Sequence, residues 1–128
     1  MTAQTLAPAS STTLRRVLWG VRIVLALFLL VASALPKFAG QKDAVETFAK
    51  IGWGQWLRYF TGAAEAAGAI GLVVPRLAGA AAVGLIGLMI GAALTQILVL
   101  SPAWALFPAA LAVVFALIAY DRRDSLLP

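Results

Sequence analysis

The sequence predicts an all-α membrane protein, an up-down bundle of four transmembrane helices with a short amphipathic interfacial helix between spans 1 and 2. Three observations lead there. Of 128 residues, 62% are hydrophobic and only 12% are charged, with a mean hydropathy of +0.96, whereas roughly a quarter of the residues of soluble proteins are charged. The apolar excess is gathered into runs close to the length of about 20 residues that an α-helix needs to cross about 30 Å of hydrocarbon. The turns between the last three runs are so short that neighbouring helices must be antiparallel.

Residues 1–14 are mostly Ala, Ser and Thr without apolar periodicity and are expected to form a disordered tail. Residues 15–123 form the transmembrane domain, and residues 124–128 a second short tail. Arg15 and Arg16 precede the first span, from about Val17 to Leu35, which only Arg22 interrupts and which Pro36 and Lys37 close. Next, Ala44, Phe48 and Ile51 recur at helical spacing while Lys42, Glu46 and Lys50 pair at i,i+4 on another face. That is the pattern of a helix lying on the membrane surface. The second span runs from about Trp56 to Val74, and Pro75 with Arg76 turns the chain into the third, about Leu77 to Val99. Ser101 and Pro102 lead into the fourth, about Ala103 to Tyr120, which ends at Asp121, Arg122 and Arg123.

Small residues crowd the middle two spans, including Gly87 and Gly91 of a GxxxG element. Lipid gives no hydrophobic drive for helix association, so such residues are expected to let helices of one chain approach closely, a homo-oligomer interface being the other reading. The first run, with its arginines and the Ala32-Ser33-Ala34 triplet, also has the form of a secretory signal. An uncleaved span is preferred, because removal would leave three spans and no partner for the first hairpin.

The formal charge of +5 comes from ten Lys and Arg against five acids. These bases stand at the ends of apolar runs, where the positive-inside rule and anionic headgroups account for them, so no nucleic acid partner is expected. One side collects Arg15, Arg16, Arg76, Arg122 and Arg123, the other Lys37, Lys42, Lys50 and Arg58. Both termini are therefore expected in the cytoplasm. Trp19 and Tyr120 would share one interface, and Trp53, Trp56, Tyr59 and Trp104 the other. Cysteine and histidine are absent, which removes disulfides, thiolate ligands, thiol nucleophiles and the usual haem ligand. No metal site, cofactor or catalytic residue is expected.

Chemical potential lies in the few polar groups at membrane depth. Glu65 is near the middle of the second span, where an ionised side chain costs at least a few kcal/mol unless it is paired, hydrated or neutralised. Arg22 and Lys37 are the candidate partners, although Arg22 is expected to snorkel to the headgroups. Thr95 and Gln96 on the third span, with Tyr59, complete the candidate ligand-binding set. Depth places Lys37 and Gln96 near the mouth of a polar pocket and Glu65 at its floor, with water or a ligand head group between them.

The succession Leu35-Pro36-Lys37-Phe38, then Phe48-Ala49, Ile51-Gly52-Trp53, Tyr59, Gly62, Glu65, Gly68, Gly71-Leu72, Pro75-Arg76, Met89, Ala92 and Thr95 resembles the DoxX-like family of small bacterial membrane proteins. The resemblance runs from about Arg16 to Arg123. It implies a four-helix fold in the bacterial inner membrane and a loose link to membrane redox chemistry through quinone-linked thiosulfate oxidation. The function it implies is that of a non-catalytic subunit or anchor for a redox or stress-response complex. A membrane or peripheral redox protein and a lipophilic small molecule such as a quinone would be the partners, besides the lipid bilayer. Gln96 departs from the histidine such proteins often carry after the threonine, and an amide can hydrogen-bond a ligand but not relay a proton in the same way. The alternative is a small-solute or proton translocator using Glu65. Unbroken helices without an inverted repeat argue against it.

Topology is directly testable, since the native chain has no cysteine background. Among the single variants Thr5→Cys, Gln41→Cys and Ser125→Cys, an impermeant thiol reagent on intact cells should label only Gln41→Cys. Labelling of Ser125→Cys would refute the orientation or the span count, and loss of the Thr5→Cys label after permeabilisation would reveal cleavage.

Overall fold

The computed structural model describes the backbone of residues 2–126 and the side chains of residues 12–126. Among the described residues every regular element is helical. α1 (Thr2–Leu27) continues into a π-helix (Phe28–Ala34) and then α2 (Leu35–Ala39). There follow α3 (Lys42–Ile51), α4 (Trp56–Leu72), α5 (Ala78–Leu98), a 3₁₀ turn (Pro102–Ala105), α6 (Leu106–Asp121) and a last 3₁₀ turn (Arg123–Leu126). Helical backbone thus already covers much of the stretch expected to be a disordered tail, and the end of the second expected tail lies outside the described residues.

The first span does not stop at Pro36. A proline inside an α-helix lacks an N–H and its ring collides with the carbonyl four residues back. Here the preceding turns widen to the π register, in which the Leu35 N–H donates to the Leu30 carbonyl five residues back. Helical backbone therefore passes through the proline and ends at Gly40, whose φ of 72° is the left-handed cap that glycine adopts without strain. α3 opens with the Gln41 side chain accepting from the Ala44 N–H at 3.2 Å, buries Phe48 and leaves Lys42, Glu46 and Lys50 exposed. It is the expected amphipathic element.

Three stretches are long and apolar enough to cross a membrane: Thr12–Ala39, Ala78–Leu98 and Pro102–Asp121. The second expected span is different. α4 has 17 residues, or about 25 Å of helix, short of the ~20 residues a full crossing takes, and Arg58 and Glu65 interrupt its apolar run. Of the four expected spans, three are therefore matched by stretches of full crossing length, and the one expected over about Trp56 to Val74 is not among them.

Large apolar side chains cover the outside, among them Val17, Val24, Leu27, Val31 and Leu35 along one face of the first helical stretch. Water would not tolerate so continuous an apolar surface, whereas hydrocarbon is its natural solvent. Inside, α4 buries Arg58, Gly62, Glu65, Ala69 and Leu72, a stripe at alternating spacings of four and three. Leu25, Leu29, Ala69, Leu72, Leu85 and Phe115 from four helices meet in the apolar core.

The closest helix approaches are not at the GxxxG element. A Cβ on Gly68 would stand 2.6 Å from Leu85 Cδ2, and one on Gly71 would stand 2.7 Å from Ala81 Cβ, but Gly84, Gly87 and Gly91 have open space around them. The expectation that Gly87 and Gly91 pack tightly within the chain is overturned, because both border cavities that separate this part of α5 from α4. Gly71→Ala should therefore lower stability by about 1–3 kcal/mol, since Ala81 has no rotamer with which to yield. Gly87→Ala should be neutral or stabilising, as alanine is favoured in helices by up to about 1 kcal/mol. Unfolding midpoints of the two variants in detergent check this, and equal midpoints would contradict the packing.

Candidate functional site

Glu65 is inside because its neighbours at i−3 and i+4, Gly62 and Ala69, define the buried stripe of α4, and it is only 4% exposed. Two residues from the first helical stretch meet it. The Ser33 hydroxyl, from the π-helix, donates to Glu65 Oε2 at 2.7 Å. The Lys37 ammonium, one turn later, lies 2.9 Å from Glu65 Oε1 and donates to the Ser33 hydroxyl at 3.1 Å and the Ser33 carbonyl at 3.2 Å. Oε1 is buried and has the ammonium as its one polar neighbour, so the pair is closed by charge on one oxygen and by the Ser33 hydroxyl on the other.

The expected gap between lysine and carboxylate is thus closed. Helical side chains lean toward the N-terminus of their own helix, so Lys37 reaches back over Ser33 and down to Glu65 instead of standing at the mouth. Two further features seat it. Gly62 lets α2 come close, since a Cβ there would be 3.3 Å from Lys37 Cβ and 3.2 Å from the Phe38 ring. Arg58, 6% exposed, donates through Nη1 to the Lys37 carbonyl and through Nε to Gln55 Oε1 at 2.7 Å. A cation near the end of α2 also complements the helix dipole.

Two cavities meet at this ion pair. The larger, about 380 Å³, lies between Phe48 and Ile51 of α3 and the α5 residues Leu88 and Thr95. The smaller, about 210 Å³, lies between Phe28 and Leu29 and the α6 end of the fold at Trp104, Phe107 and Leu111. Lys37, Glu65, Met89, Ala92 and Gln96 border both. Walls of this kind, mostly apolar with a few converging polar groups, are typical of small-molecule sites.

Of the residues expected from sequence, Glu65, Lys37 and Gln96 come together. Gln96 accepts from the Ser101 N–H at 3.3 Å. Thr95 reaches the larger cavity, but its hydroxyl donates to the Gly91 carbonyl of its own helix at 2.9 Å. Tyr59 is not among the lining residues of either cavity; it is about half exposed and faces Phe38, with ring centroids 6.3 Å apart. Ser33 and Arg58 escaped the sequence reading. Their signals were present: Ser33 is four residues before Lys37, and Arg58 is seven before Glu65 on the same stripe.

Arg22 neither pairs with Glu65 nor snorkels. It is 2% exposed, stacks on Trp19 at 3.9 Å and donates through Nε to the Leu72 carbonyl at 2.6 Å. Leu72 ends α4, where carbonyls lack helical partners, and Arg122 donates to the Pro75 carbonyl of the same turn at 2.9 Å. The arginine expected in the headgroups is instead a clamp on the α4–α5 turn. Among the described residues, no group of three or more Asp and Glu is arranged to hold a metal ion.

Fold and surface together define a small all-helical membrane protein. A family model described as the DoxX-like family matches residues 21–118, and the chain belongs to that family. No curated protein and no solved structure matches it.

Removing one member of a buried ion pair costs about 3–5 kcal/mol because the other is left uncompensated. Glu65→Ala should therefore unfold at a much lower denaturant concentration than the wild type. Glu65→Gln retains an acceptor for Ser33 and should fold and insert, so its ability to complement a deletion strain isolates the use of the charge. Full complementation would reduce Glu65 to a structural role, and Lys37→Met in parallel tests whether the two residues form one site.

Proposed function

We propose that this protein is a non-catalytic subunit or anchor of a membrane-associated redox or stress-response complex and holds a lipophilic small molecule, such as a quinone, at Lys37, Glu65 and Gln96. It crosses the bacterial inner membrane four times, with both termini in the cytoplasm and α4 completing the bundle as a short span. Its protein partner is a membrane or peripheral redox protein. The observation that carries the binding role is a buried, hydrogen-bonded ion pair on the shared wall of two mostly apolar cavities. Thr95 borders the larger cavity and Tyr59 flanks the site through Phe38. The redox setting rests on the family alone.

Binding is favoured over translocation by what lies on the far side of Glu65. Leu29, Ala69, Leu72, Leu85 and Phe115 are essentially inaccessible and fill the space toward Arg22. A proton or solute leaving Glu65 in that direction would meet packed hydrocarbon without a polar relay, and polar pathways are what transport across a membrane requires.

Organic extracts of the protein purified in mild detergent should contain a lipophilic small molecule in near-stoichiometric amount, strongly depleted from Lys37→Met. Identical extracts from the two proteins would overturn the binding role. Proteoliposomes carrying a pH-sensitive dye should show no proton flux above that of empty vesicles, and a flux abolished by Glu65→Gln would favour the translocator instead.

A further inference from the structure

The site is electrically balanced, and that limits what it can hold. Lys37 and Glu65 are in contact at 2.9 Å with side chains 17% and 6% exposed, and Ser33 bridges them as an uncharged donor and acceptor. A charged head group entering beside them would leave one net charge without a counter-charge in an apolar surround, which is strongly unfavourable. The spare capacity is an acceptor: Glu65 Oε1 is buried with the Lys37 ammonium at 2.9 Å as its one polar neighbour, and a carboxylate oxygen has a second lone pair to offer. A hydroxyl can donate to it without disturbing the ion pair, and Gln96, on the border of both cavities, is placed to meet the other polar atoms of such a head.

The direction of entry follows from the smaller cavity. Its walls include Phe107, 51% exposed, and Trp104, 66% exposed, on the apolar outside of the fold. Phe28 meets Phe107 edge to face with centroids 5.9 Å apart. Exposed apolar side chains on this surface are suited to acyl chains, so the Phe28–Phe107 contact is the wall that separates the cavity from the lipid side. At about 210 Å³ it admits a head and the first part of a chain, while the rest of the chain stays in lipid.

Resting on the binding role proposed above, we infer that the molecule held at Lys37 and Glu65 is an amphiphile with an uncharged, hydroxyl-bearing head, taken laterally from the bilayer between Phe28 and Phe107. Discrimination comes from charge balance. Lys37→Met leaves a lone carboxylate and turns the preference toward a cationic head, whereas Glu65→Gln leaves a lone ammonium and turns it toward an anionic one.

The test uses the full chain in nanodiscs and three brominated probes with one acyl chain length: dibromostearoyl glycerol, dibromostearate and dibromostearylamine. Bromine quenches tryptophan on contact, and the Trp104 contribution is the difference between the wild type and Trp104→Phe. In the wild type, the glycerol ester should reach half-quenching of Trp104 at a mole fraction about tenfold lower than either charged probe, the equivalent of one unit of log affinity. Lys37→Met should favour the amine and Glu65→Gln the stearate. Equal quenching by all three probes in every variant would overturn the head-group assignment while leaving a small-molecule site intact. No quenching of Trp104 by any probe, with helical circular dichroism unchanged, would remove the site itself, and strong quenching in the wild type by one charged probe alone would show that the balanced pair is not what the ligand reads.

Discussion

An ammonium and a carboxylate in contact inside an apolar bundle constrain everything around them, because neither can be left alone there. Glu65 is held in the interior by the stripe of α4 that also buries Gly62 and Ala69, so Lys37 must be delivered to it. Delivery requires the first helical stretch to pass Pro36 without breaking. The π-helix from Phe28 to Ala34 meets that requirement, and it presents Ser33 toward the same carboxylate. π-Helical turns are often found at functional sites because the widened turn re-aims side chains. Gly62 and Arg58 complete the seat, one by letting α2 come close and the other by holding the Lys37 carbonyl.

Polarity is segregated along the bundle. At one end Arg22 and Arg122 hold the carbonyls of the α4–α5 turn, Ser125 accepts from the Gly79 N–H at 3.1 Å, and Arg15 lies 3.4 Å from Asp121. At the other are the Lys37–Glu65 pair and its cavities. Packed side chains centred on Leu72 and Phe115 separate the two. The polar groups thus form two separate clusters with apolar packing between them.

The helix contacts divide in a similar way. α4 and α5 meet closely where Gly68 and Gly71 face Leu85 and Ala81, while the face of α5 bearing Gly84, Gly87 and Gly91 is left open. Direct backbone approach therefore stabilises one interface of the chain and not the one the GxxxG spacing suggested, since the spacing records that a close approach is allowed but not which neighbour makes it.

Composition and periodicity by themselves determined that the chain is helical, that most of its surface is lipid-facing, that α3 is amphipathic and that Glu65 needs a partner, because hydropathy and the 3.6-residue repeat are local properties of the chain. The order of its weak motifs was enough to recognise the DoxX-like family. Only the tertiary structure decided which base answers Glu65. Arg22 and Lys37 were both candidates along the sequence, with Lys37 preferred for the site, and the contact itself depends on how the helices cross and on a lysine leaning back over one turn. Ser33 and Arg58 were missed for a related reason: their spacings to Lys37 and Glu65 are visible in the sequence, but a serine in an apolar run and an arginine near a helix start gain meaning only when another helix is laid against them. Tyr59 lies outside the cavity walls because proximity in sequence to Glu65 does not place a ring on the buried stripe. Direction around a helix axis is set by packing, and packing is the one quantity a linear sequence does not carry.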